Sequence, residues 1–190
     1  GHTVSNLTIN STQNNLGLFG QCYGVTIKNL VLTNVTIQGK PDSSQSIGAL
    51  AGLISTYSTI TNCSSFGNVS GYWLVGGLLG HIYNRCSLDR CYSACNVSGY
   101  FHVGGIAGYA DAVSEIKNCY NTGNIVANNR VGGLIGENGG SSKIINCYSL
   151  GKVSGQKADS TGGLIGWIAA YSTITSSYYD QETSGQSDTG

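Results

Sequence analysis

A glycine-rich hexapeptide returns five times along the chain. The copies are Ile47-Gly48-Ala49-Leu50-Ala51-Gly52, Val75-Gly76-Gly77-Leu78-Leu79-Gly80, Val103-Gly104-Gly105-Ile106-Ala107-Gly108, Val131-Gly132-Gly133-Leu134-Ile135-Gly136 and Thr161-Gly162-Gly163-Leu164-Ile165-Gly166. Their starts lie 28, 28, 28 and 30 residues apart, and a weaker copy, Gly17-Leu18-Phe19-Gly20, precedes them. A fixed period of this length marks a repeat architecture, in which a single unit cannot bury its apolar side but a stack of units can. Other positions keep the same period. Thirteen residues after each start stands Ile60, Leu88, Ile116, Ile144 or Ile174, and sixteen after stands Cys63, Cys91, Cys119, Cys147 or Ser177. Ser64, Tyr92, Tyr120, Tyr148 and Tyr178 follow, and then a third short segment at 67–71, 95–99, 123–127 and 151–155.

Short β-branched runs bounded by Gly, Asn and Ser read as strands, three to a unit, and they leave no room for a helix. The expected fold is all-β: one parallel β-solenoid, a right-handed β-helix of about six coils of ~28 residues, with equivalent strands stacked about 4.8 Å apart. Within this single domain of residues 1–190, an atypical first coil occupies 1–46. Four regular repeats fill 47–160, and 161–190 form an atypical last coil and tail. The polar insert 156–160 accounts for the 30-residue step. The repeated glycines imply either positive φ or close backbone approach at the coil corners. A phosphate-cradling loop is excluded, since no Lys-Ser/Thr follows any copy.

Charge narrows the partners. Nine Lys+Arg balance nine Asp+Glu, leaving no basic stripe for nucleic acid or an anionic membrane surface. No apolar run approaches the roughly 20 residues that span a bilayer, so no membrane insertion is expected. The chain has no methionine, and so reads as a processed or excised piece from which a signal peptide has been lost.

The pattern Gly-Gly-Leu-Ile-Gly, then Ile-x-Asn-Cys-Tyr-Ser, then Gly-x-Val-Ser-Gly resembles the GLUG-motif repeats of bacterial and some archaeal surface proteins. The opening residues 1–9 resemble the usual start of such arrays, and residues 177–186 their usual end. The resemblance covers nearly the whole chain. It implies an extracellular, cell-surface stalk, adhesin-like or wall-associated, with no catalytic residue, because the motif glycines and leucines are structural. Similar repeats accompany large metalloproteases, but this chain has no His-Glu-x-x-His.

Catalytic and metal chemistry find little footing. Four cysteines at an unbroken period suit a column of buried small apolar groups better than a tetrahedral zinc site or disulfides. On this reading Cys119→Ser costs about 1–3 kcal/mol by burying an unpaired hydroxyl. Cys86 and Cys95 replace a Ser and a Gly of the other copies within one unit, which suggests either a local disulfide or coincidence. Cys22 has no equivalent. His2, His81 and His102 share no repeat position and read as surface residues on turns. Nine carboxylates are scattered from Asp42 to Asp188; only Asp89 and Glu115 fall near enough to suggest a pair, and neither has an equally placed basic partner. No enzyme activity, metal or cofactor is therefore expected.

Aromatics give the best contact candidate. Tyr72-Trp73 and Tyr100-Phe101 fall at the same corner of adjacent coils, where later coils carry Asn128-Asn129-Arg130 and Gln156-Lys157. Read as turns, these positions form either one stacked apolar contact patch or a shield over the corner glycines. The function expected is a rigid structural or adhesive module that meets surface glycans, proteins or copies of itself through its coil ends. The alternatives are a carbohydrate-binding or carbohydrate-cleaving β-helix, and a self-assembling fibre subunit.

Overall fold

Each 28-residue unit makes one turn of a parallel β-solenoid, and it does so with four short strands rather than three. One regular turn runs Ser64–Ser70, Trp73–Gly76, Leu79–Ile82 and Ser87–Asp89. The extra strand arises inside the glycine hexapeptide, which bends at Gly77-Leu78 and so contributes to two faces. The structure is a computed structural model that describes residues 1–187; Asp188 lies outside the described residues.

Equivalent strands stack into four parallel sheets, here called faces A to D in the order just given. Register is in phase with the repeat: Tyr92 pairs with Ser64 and Tyr120, Trp73 with Phe101, Leu79 with Ala107, and Leu88 with Ile116. The first coil departs from this pattern. Its long strand Leu30–Gly39 changes register by one residue between Leu32 and Val35, and the rest of the longer spacing of the opening unit is taken up in the loop between Gly39 and Gln45. At the other end Asp180 caps the short helix Gln181–Ser184 by accepting from the N–H groups of Glu182 and Thr183.

The interior is a set of columns, one apolar residue per coil. Ile60, Leu88, Ile116 and Ile144 make one, and Val69, Val97, Ile125 and Val153 another; all are buried. In a strand such as Ser87-Leu88-Asp89 only the middle residue points inward, as the two-residue period of a strand requires. The repeated glycine ending each hexapeptide is needed for close approach and not for positive φ. A Cβ on Gly136 would lie 2.4 Å from the Val103 nitrogen and 2.5 Å from the His102 carbonyl carbon. Face C of one coil therefore presses backbone to backbone on face B of the coil before it.

Candidate contact surface

Two internal ladders satisfy the backbone at the coil corners. Asn62, Arg90, Asn118 and Asn146 take positive φ at the corner between faces D and A, and the next residue leads into a face A strand that opens one residue later. That leading residue is the column cysteine. Its Sγ donates to the carbonyl two residues back, as Cys119 does to Lys117 at 3.1 Å and Cys147 to Ile145 at 3.2 Å. It also accepts an N–H from the coil before: Cys91 donates to Cys119 Sγ, and Cys119 to Cys147 Sγ, both at 3.4 Å. Ser177 closes the column with the same two bonds, accepting from Cys147 N–H at 3.0 Å and donating to Thr175 at 2.9 Å. The cysteines are thus buried, as expected, but they cap the backbone as well as filling space. Burial pushes the Cys63 thiol up to about 11 and Cys119 well above its ordinary value.

All seven cysteines are free, so Cys86 and Cys95 form no disulfide. Cys86 does the work of the serine it replaces in a second ladder, at the corner before face D. Its Sγ donates to Tyr83 at 3.1 Å, as Ser114 Oγ donates to Asp111 at 2.8 Å. Cys95 lies buried within the strand Tyr92–Ser98. In the following coil the equivalent Gly123 falls in the gap between two shorter strands, Tyr120–Asn121 and Ile125–Ala127.

The predicted corner is assembled, with a correction to its location. Trp73 and Phe101 begin strands of face B, and only Tyr72 and Tyr100 precede them outside a strand. The four rings form two stacks along the axis. Tyr72 and Tyr100 lie 5.1 Å apart at 15°, and Trp73 and Phe101 5.3 Å apart at 24°. Tyr100 and Trp73 are 40% and 37% exposed, so the rings do not fold away from solvent. In the next coil Asn129 pairs with Phe101, and the aromatic surface ends in a polar step.

Beneath this corner lies a charged and aromatic network that sequence reading missed. His81 and His102 are on strands and not on turns, and His102 is only 8% exposed. Trp73 lies 5.9 Å from the His102 ring, and Tyr109 meets that ring edge-on at 5.6 Å while stacking on His81 at 5.2 Å. Arg130 Nη1 approaches His102 Nε2 at 3.3 Å, forms an ion pair with Glu137, and places its guanidinium 5.3 Å from the Trp167 ring. Burial, reinforced by Arg130 and His81, holds His102 down at about 4. Burial raises Glu137, against the pull of Arg130. The signal was present in the sequence. Leu74, His102 and Arg130 each precede a hexapeptide, and His81, Tyr109, Glu137 and Trp167 each follow a start by six residues.

Two other predicted features resolve differently. Asp89 and Glu115 do have basic partners, Arg90 and Lys117, each at 3.1 Å. They stand out of register, since Ser87 pairs with Glu115 and Asp89 with Lys117. Outside face A, Tyr92, Tyr120 and Tyr148 form a continuous stack with centroid steps of 4.2 and 4.8 Å.

The GLUG motif matches residues 43–70, 99–126 and 127–154. Each matched stretch is one full turn, running through faces B, C and D and ending on face A. Three full turns of this chain are GLUG-motif repeats. No curated protein and no solved structure matches it. Of the four corner rings, Tyr100 and Phe101 lie inside a matched stretch and Tyr72 and Trp73 lie outside one.

Proposed function

We propose that this array of GLUG repeats is an extracellular structural and adhesive module: a rigid spacer that meets its partner, a surface glycan or protein, through Tyr72, Trp73, Tyr100 and Phe101. One observation carries the reading. On a solenoid whose coils otherwise repeat, two adjacent coils carry exposed, stacked rings at a position that is polar in the next. Aromatic rings at a surface offer large apolar area at small entropic cost, which suits contact. The buried thiols are compatible with an oxidising exterior, because reactivity needs an accessible thiolate. Acid–base chemistry gains no support from the paired, out-of-register Asp89 and Glu115, so the module is read as non-enzymatic and free of cofactors.

The test is adhesion. Beads coated with the intact chain are compared with beads coated with Trp73→Ala/Tyr100→Ala, over host-cell and purified-glycan surfaces. Retention should fall at least about fivefold with the circular dichroism spectrum unchanged, a loss of about 1 kcal/mol of contact energy. Equal retention by both proteins sinks the reading.

A further inference from the structure

The outer side of face A carries a feature that the aromatic corner only borders. Three clefts of about 490, 420 and 320 Å³ meet at Ser98. Their floor follows one register position through successive coils, Gln38, Ser70, Ser98, Val126 and Ser154, so they form one trough parallel to the solenoid axis. Three of these five floor residues are serines, and Val126 is 53% exposed.

The two walls differ in chemistry. One is an asparagine ladder: Asn96 Nδ2 donates to Asn68 Oδ1, and Asn96 Oδ1 accepts from the Asn124 N–H, both at 3.4 Å. Asn124 Oδ1 in turn accepts from the Lys152 N–H at 3.1 Å. The ladder occupies the oxygens of all three, while the amide NH₂ groups of Asn68 and Asn124 bond no other protein group among the described residues. The opposite wall is Tyr100, followed one coil later by Asn128, whose Nδ2 donates to Gln156 Oε1 at 2.6 Å. No charged residue lines any of the three clefts.

These properties select a ligand. Without a cation the trough has nothing to neutralise phosphates, sulfates or uronic acids. Serine hydroxyls and carboxamides donate and accept alike, which matches a partner covered in hydroxyls. A flanking tyrosine offers an apolar surface to a sugar ring. Coils repeat about every 4.8 Å, close to the length of one pyranose unit in an extended chain, so successive units meet equivalent groups. We propose that this trough is a binding site for a neutral, linear polysaccharide lying along the solenoid axis. The proposal deepens the contact reading, with which it shares Tyr100.

Calorimetry on the intact chain tests it, with hexasaccharides of β-1,4-linked glucose, xylose and N-acetylglucosamine as probes and hexagalacturonate as the charged control. At least one neutral hexasaccharide should bind, more tightly than its disaccharide. Ser98→Glu, at an exposed position central to all three clefts, should weaken it by about tenfold or more, and Asn96→Ala by about threefold. Tyr171→Ala, exposed and lining none of the clefts, should change it less than about twofold. Binding by none of the neutral probes, binding of hexagalacturonate alone, or indifference to both Ser98→Glu and Asn96→Ala overturns the trough. Loss in Trp73→Ala/Phe101→Ala with retention in Ser98→Glu also overturns it, while leaving the aromatic corner as the contact site.

Discussion

The cysteine column and the aromatic corner are both ladders with one rung per coil, yet they answer to different demands. Each column residue closes hydrogen bonds that the turn cannot otherwise make: an N–H from the preceding coil and a carbonyl two residues back. Where cysteine gives way to Ser177, the same two bonds persist. The corner rings satisfy no such need. The N–H groups of Tyr100 and Phe101 bond the Tyr72 carbonyl at 2.9 and 3.0 Å whatever their side chains are. A ladder kept from Cys63 to Ser177, with only the first coil substituting Leu30, serves the stacked fold; a ladder present in two coils is free to serve contact.

The largest effect expected belongs to the fold side of this comparison. Gly136→Ala forces a Cβ to within 2.4 Å of the Val103 nitrogen, where the obstacle is backbone and cannot rotate away. It should cost at least about 3 kcal/mol in urea unfolding, since overpacking of this kind must move whole strands. Gly20→Ala is the control, because its Cβ meets only one atom, at 3.2 Å. It should cost less than about 1 kcal/mol, and equal losses at the two sites would remove the backbone-on-backbone account of the motif glycines.

Acid should strike between the two ladders, at the network under the corner. His102 is held at about 4 against an ordinary 6.5, so the unfolded chain binds its proton first. Its contribution is complete above pH 6.5 and is lost as pH falls from there toward 4, amounting to roughly 3 kcal/mol. Glu137, raised by burial, works the other way, adding stability as pH drops through its folded value. Arg130 keeps its charge throughout, and so opposes the His102 proton at every pH. His102→Asn, which tolerates the residue's φ of 54°, should flatten the slope of unfolding free energy between pH 6.5 and 4. An unchanged slope would place the sensitivity elsewhere.

Much of this was legible in the sequence, for a physical reason. Stacking in phase forces each coil to reuse the same solution, so the period, the core columns and the unbroken cysteine series appear directly as repeated letters. Interactions between columns were not legible. The hexapeptide's bend at Gly77-Leu78 leaves no compositional mark, so four faces read as three. Cys86 looked like half of a disulfide because a thiol and a hydroxyl differ as letters, while at that corner both donate to the same kind of carbonyl. His81 and His102 looked unrelated because they sit in different columns, which only the close approach of faces B and C brings together.

The cysteine column itself gives a finer test, and the structure revises the size of effect expected from sequence. A serine at position 119 would inherit both partners, as Ser177 shows, so its hydroxyl is not left unpaired. Cys119→Ser should therefore cost no more than about 1 kcal/mol. Cys119→Ala removes the acceptor of the Cys91 N–H and should cost about 1–3 kcal/mol. The order of the two variants decides between capping and simple space filling, since a column that merely packs should tolerate Ala at least as well as Ser. Native labelling with a small thiol reagent should leave Cys119 unmodified.

The smallest effect expected is on stability at the corner, and its smallness is what separates contact from packing. Trp73 stacks on Phe101 and Tyr100 on Tyr72, so single alanine changes each break one stack, worth about 0.5–1.5 kcal/mol. The rings that lose their partners stay on the surface, and no buried polar group is stranded. Trp73 and Tyr100 share Tyr72 and Phe101 as ring partners, so the losses in Trp73→Ala/Tyr100→Ala should couple by about 0.5 kcal/mol or more. The double variant should stay folded and lose roughly 1–2 kcal/mol, well short of Gly136→Ala. A loss above about 3 kcal/mol would make these rings part of the packing that holds the coils together. The corner would then belong with the cysteine column, and its restriction to two coils would need a structural cause.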